Sequence, residues 1–173
     1  MIIAFDTYYY DNKAKTIGVS FNSWEDENYQ KIYSEIIEGV AEYEPGSFYK
    51  RELPCITSLL KKINLDEIDT IIVDGYVILD DNGKLGLGGR LFEKIDKQIP
   101  IIGVAKTGYH SNKLNTKALI RGKSKNPLYI SALGIELNLA YENIKSMHGK
   151  HRMPTLLQLM DTKTKEKKVG NTV

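Results

Sequence analysis

The chain has a single cysteine, Cys55, among 173 residues. One thiol excludes an internal disulfide and any multi-cysteine metal site. Its apolar neighbours Leu53, Ile56 and Leu59 mark it as a small buried hydrophobe. Long apolar runs are also missing, since none approaches the roughly eighteen residues that a membrane-spanning helix needs. Residues 1–6 show neither the basic stretch nor the long apolar stretch of a secretion signal, so a cytoplasmic protein with no membrane partner is expected. Net charge is small, +2 from 24 basic and 22 acidic side chains, and says little about partners. Its distribution says more. From Lys97 to Ile135 there is no Asp or Glu, yet Lys97, Lys106, Lys113, Lys117, Arg121, Lys123 and Lys125 fall there. Such a stretch is either a phosphate-binding face or a solvated loop whose charges balance acids elsewhere.

What is present suffices for one well-buried core: 42% of the residues are hydrophobic, too few in this length for two comfortable cores. No repeat, low-complexity segment or linker divides the chain. One domain over 1–160 is expected, followed by a disordered basic tail over 161–173; a monomer is the simplest reading. Strands are predicted at 2–9, 16–21, 70–74, 101–106 and 127–131. Helices are predicted at 51–63, 91–97 and 136–147 from their apolar stripes. Tyr29, Ile32, Tyr33, Ile36, Ile37 and Val40 fit a helical period but are rich in β-formers, which leaves 29–40 open. Strands first, then strand and helix alternating, predict a mixed sheet covered by helices, an α/β class.

Three acids stand out by position. Asp6 interrupts the apolar run Ile2-Ile3-Ala4-Phe5, and Asp74 ends the run Ile71-Ile72-Val73. Glu52 opens an amphipathic helix. A carboxylate ending a buried strand is costly unless charge or hydrogen bonds compensate it. Were the two strands adjacent, Asp6 and Asp74 would share one divalent cation, the arrangement of a phosphodiesterase centre. Each acid also has an ordinary reading: Asp6 pairing with a lysine, Asp74 starting a turn, Glu52 favouring a helix N-terminus. Spacing alone does not join them. His148 and His151 lie in a His-Gly-Lys-His turn and read as surface. The glycines of 83–89 do not have dinucleotide-binding spacing.

Six segments, in order, resemble the endonuclease V family. They are Phe5-Asp6 before a hairpin, Tyr43-Glu-Pro-Gly-Ser-Phe-Tyr-Lys-Arg-Glu52-Leu-Pro54, Val73-Asp74-Gly75, Leu85-Gly86, Ile102-Gly-Val-Ala-Lys106 and Asn126-Pro-Leu-Tyr-Ile-Ser131. The resemblance spans most of 2–157 and implies an RNase H-like sheet in which 29–40 is a third strand. It implies a metal-dependent endonuclease that cuts DNA or RNA on the 3′ side of a deaminated adenine, inosine or deoxyinosine. Its catalytic residues would be Asp6, Glu52, Asp74 and Lys106, with Mg²⁺ or Mn²⁺ held by Asp6, Asp74 and Glu52. Tyr43 would be the wedge, beside Pro45 and Gly46, with Gly75 and Gly86 giving backbone access to the extruded base. One departure stands out. The family's Pro-Gly-His-Arg after the 128–131 strand, whose histidine the resemblance places beside the metal site, is here Ala132-Leu133-Gly134-Ile135, without the histidine. Glu136 is therefore an expected additional metal ligand, against the alternatives of a weak or inactive nucleic-acid binder and of a nuclease for another nucleic-acid structure.

Overall fold

The apolar run at 2–5 and the alternating apolar residues at 17–21 drive the first strands together as a long hairpin. In the computed structural model, which describes residues 1–96 and 98–166, β1 (Ile2–Tyr10) pairs antiparallel with β2 (Lys13–Phe21). Asp11 and Asn12 turn it with positive φ, as a two-residue hairpin demands. β3 (Lys31–Glu38) adds to the outside of β2. The segment 29–40 is therefore a strand, as the resemblance implies, and its helical period yields to β-branched and aromatic composition.

On the other side of β1 run β4 (Thr70–Asp74) and β5 (Ile101–Ala105), both parallel to it. β7 (Leu128–Leu133) pairs antiparallel with β5, and β6 (Lys117–Leu119), which periodicity did not reveal, closes the edge. The single seven-stranded order β3-β2-β1-β4-β5-β7-β6 is the mixed, RNase H-like arrangement.

The two-residue period of β1 divides the core. Ile3 and Phe5 face α1 (Tyr49–Leu60) and α2 (Leu87–Lys94), packing with Ile56, Leu59 and Leu91. Ile2 and Ala4 face α3 (Leu137–Ser146) and α4 (Thr155–Lys165), packing with Ile144, Leu156, Leu157 and Met160. Cys55 is buried, as its neighbours suggested. The expected tail needs correction: residues 161–165 are the last turns of α4, because Leu156, Leu157, Met160 and Thr164 form a buried stripe. Positions 167–173 lie outside the described residues. Among the described residues no helix is long and apolar enough to cross a membrane.

Arg121 also departs from expectation. It is only 7% exposed, and its guanidinium donates to the carbonyls of Met147, Gly149 and His151 at 2.6, 3.2 and 2.8 Å. It clasps the loop ahead of α4 and is not part of a phosphate-facing surface. Lys113, Lys123 and Lys125 are exposed and Lys117 is half-buried.

Candidate active site

Parallel pairing fixes the first two acids. Phe5 is level with Val73, so the next residues, Asp6 and Asp74, emerge side by side at the same end of the sheet. Asp74 is level with Val104 on β5. Lys106, two residues on, projects to the same face by strand periodicity. That is the α4 face, and α4 supplies a third carboxylate, Asp161. Carboxylate oxygens of Asp6, Asp74 and Asp161 all lie within 4.8 Å of one another. The Lys106 ammonium donates to Asp74 at 2.8 Å and lies 3.7 Å from Asp161.

Glu52 arrives from the opposite layer. Three turns of α1 bury Cys55, Ile56, Leu59 and Leu60, and Glu52 lies on that inward side, 1% exposed. Among the described residues, neither of its carboxylate oxygens has a hydrogen-bond partner. An uncompensated buried carboxylate is expensive. Burial, then the charges of Asp6 and Asp74, hold its carboxyl well above the usual range. Asp6 behaves likewise: burial and then Asp74 push it up to about 7, although it accepts the Thr7 amide at 2.8 Å. Burial would lower Lys106, but the ion pair with Asp74 outweighs it and raises the ammonium instead.

Two buried acids held from ionising, beside two more carboxylates, form a site that needs positive charge. A divalent cation relieves all of these costs together, and an all-oxygen donor set suits Mg²⁺ or Mn²⁺. The residues present fit such a cation.

Beyond the acids lies an open cleft of about 430 Å³ whose lining includes Asp6, Asp74, Lys106 and Tyr76. A second cavity of about 210 Å³ adjoins it and shares Phe48, Gly75, Tyr76 and Tyr109. Tyr43, Gly46 and Gly86 line this second cavity. Tyr43 is 59% exposed at its mouth. Pro45 stands in the preceding turn, and Gly46 follows with φ +77°, Gly75 with φ +137°. Both angles favour glycine. A Cβ on Gly86 would lie 2.4 Å from the Tyr76 carbonyl oxygen, so that glycine also serves close packing.

Of the predicted residues, the fold brings together Asp6, Asp74, Glu52 and Lys106, and groups Tyr43, Gly46, Gly75 and Gly86 around the neighbouring cavity. Glu136 is not among them. β7 runs antiparallel to β5, with Leu133 level with Ile101 at the start of that strand. Leu133, Gly134 and the exposed Glu136 therefore sit at the opposite end of the sheet from Asp74. The expectation that Glu136 joins the cluster is overturned by this register. The residue that does join, Asp161, was hidden in a basic run with the composition of a tail. Its signal was the helical spacing of Leu156, Leu157 and Met160, continued by Thr164, which makes 155–165 a helix and leaves Asp161 beside Met160.

A sequence model described as Endonuclease V matches residues 1–162. No curated protein matches the chain by sequence. Among solved structures, endonuclease V of Ciona intestinalis, in complex with a 24mer DNA containing an inosine followed by a ribo-adenosine, is 18% identical with a TM-score of 0.79. The match covers 94% of this chain and 83% of that one. The endonuclease V of Bacillus subtilis is 19% identical, with a TM-score of 0.74 and coverage of 94% and 77%. Human ENDOV is 21% identical, with a TM-score of 0.71 and coverage of 94% and 82%. At these identities the structures speak for the fold.

Proposed function

Because the chain belongs to the endonuclease V family, and is thus an endonuclease acting on nucleic acid, we propose that it hydrolyses a phosphodiester 3′ to inosine or deoxyinosine with Mg²⁺ or Mn²⁺. The observation that carries this reading is the meeting of the Asp6, Asp74 and Asp161 centre, backed by the buried Glu52, with an uncharged aromatic pocket along one cleft. Asp6, Asp74 and Asp161 would hold the cation, with Glu52 joining directly or through water. When bound, the cation supplies Lewis-acid stabilisation of the phosphate and a more acidic water.

The protein's own groups do the rest. Lys106 swings from Asp74 toward the phosphate, adding positive charge where the pentacovalent centre gains negative charge. Gly75 places backbone rather than side chain between the acids and the pocket. Tyr43, flat and exposed on its Pro-Gly turn, suits the gap that an extruded base leaves in a stack. Gly46 and Gly86 let backbone polar groups approach the edge of that base. The absent histidine does not weaken this reading, since its position lies at the far end of the sheet.

Incubating the protein with oligonucleotides containing one inosine in DNA or in RNA, beside adenosine controls, tests the proposal. Cleavage on the 3′ side of inosine with Mg²⁺ or Mn²⁺, and none with EDTA, is expected. Equal cutting of the adenosine controls would overturn the specificity, and undiminished cutting in EDTA the metal requirement.

A further inference from the structure

Tyr109 is 54% exposed, yet the turn carrying it is firmly held. Asn112, itself buried, donates from its backbone to the Tyr109 carbonyl at 3.1 Å and from its side chain to that of Ile78 at 2.6 Å. The Asp81 carboxylate accepts the amides of Lys113 and Leu114 at 2.6 and 2.7 Å. On the near side, the Tyr76 hydroxyl donates to the Thr107 carbonyl at 2.7 Å.

A half-exposed ring adds little burial, so its own packing does not require such tethering. The Tyr109 ring meets Tyr76 edge to face, centroids 5.7 Å apart and planes at 80°. Edge-to-face contact leaves part of the Tyr109 ring surface on solvent. That ring borders both cavities, the acid-lined cleft and the pocket of Tyr43 and Gly86. Among the described residues, no charged side chain lines the pocket. A neutral cavity lined by aromatics and glycines is complementary to a purine base. A ring fixed beforehand also spares the ordering cost of binding.

We infer that Tyr109 is a stacking residue that holds an unpaired purine nucleobase in this pocket, an inference resting on the nuclease reading above. Tyr43 fills the gap left in the strand, whereas Tyr109 receives what was removed.

Binding of single-stranded oligonucleotides carrying inosine or adenosine at one position, measured with Ca²⁺, separates the two roles. Tyr109→Ala should weaken inosine binding about tenfold, the scale of one base–aromatic stack, and leave unchanged the binding of a third oligonucleotide that is abasic at that position. Tyr109→Phe should restore it, KM should rise with kcat little altered, and far-ultraviolet circular dichroism should match wild type. In a parallel oligonucleotide, 2-aminopurine at that position should be quenched by wild type and not by Tyr109→Ala. Equal quenching by both proteins, or equal weakening on the inosine and abasic oligonucleotides, would overturn the inference. If wild type does not distinguish inosine from adenosine but its quenching still depends on Tyr109, the stacking role stands and the inosine reading fails.

Discussion

The Lys106 ammonium lies 2.8 Å from Asp74 and 3.7 Å from Asp161, within the charge environment a divalent cation would use. Lysine and metal therefore compete for the same carboxylates before substrate arrives. Lys106→Met should bind Mn²⁺ at least as tightly as wild type by titration calorimetry. It should cleave about 10²-fold more slowly, the scale of removing one charge that stabilises the transition state. Weaker Mn²⁺ binding in this variant would contradict the competition.

Asp161 and Glu136 form a matched pair of tests. Asp161→Asn and Asp74→Ala should each lower cleavage by about 10²-fold or more, as removal of a metal-positioning carboxylate does, while nucleic-acid binding persists through phosphate contacts. Glu136→Gln should cleave at the wild-type rate. A slow Glu136→Gln in single-turnover assays would restore a role that the β7 register denies it.

Asp6 gives the metal-free protein an unusual pH response. Its carboxyl, ordinarily ionised above about 4, is pushed up to about 7 by burial and Asp74. Between those values the folded chain keeps a proton that the unfolded chain has released. Stability in EDTA should fall as pH rises from about 4 through about 7. Mn²⁺ should then raise the melting temperature more at pH 8 than at pH 5. Thermal unfolding at the two pH values, with and without metal, reads this directly; a larger metal effect at pH 5 would refute it.

Gly103 links core packing to the site. A Cβ there would stand 2.5 Å from the Gly75 carbonyl oxygen and 2.7 Å from the Ser131 hydroxyl, which accepts the Val77 amide. Gly103→Ala should cost about 1–3 kcal/mol by overpacking and displace Gly75, so activity should drop below what the loss of folded protein explains. Denaturant titration and rates normalised to folded protein would show whether it does.

The surviving part of the basic stretch predicts salt dependence. A Lys113→Ala, Lys117→Ala, Lys123→Ala triple variant should flatten the dependence of log affinity on log salt by roughly one unit for each phosphate that is no longer neutralised. Anisotropy titrations from 50 to 200 mM salt, about the range over which such slopes are read, would reveal an unchanged slope if these lysines face away.

Much of this was legible because chain-local rules wrote it. Residues 70–74 match β4 residue for residue, since an unbroken β-branched run admits little else. Asp6 and Asp74 were visible as charges ending apolar runs, but only the parallel Phe5–Val73 register made them neighbours. Asp161 was not legible for the complementary reason. It sits on an exposed-looking, lysine-rich helix, and its partners come from strands far away in sequence. Arg121 misled in the same way: a guanidinium buried against four carbonyls looks, in sequence, like any other positive charge in an acid-free stretch. β6 escaped notice because three residues carry too little period to read.

The Arg121 clasp has a consequence for the order of assembly. Arg152, in the clasped loop, donates to the Lys106 and Pro127 carbonyls at 2.5 and 2.8 Å, and α4 begins three residues later with Asp161 aboard. The proposed cation site thus joins Asp6, on the first strand, to an acid on the last described helix. Closing a loop of that span is entropically slow and comes late. A chain made only as far as β4 carries Asp6, Glu52 and Asp74 but not Asp161. Hydrolytic competence would then arrive only when the final helix docks, so that partly made protein stays harmless to the nucleic acid around it.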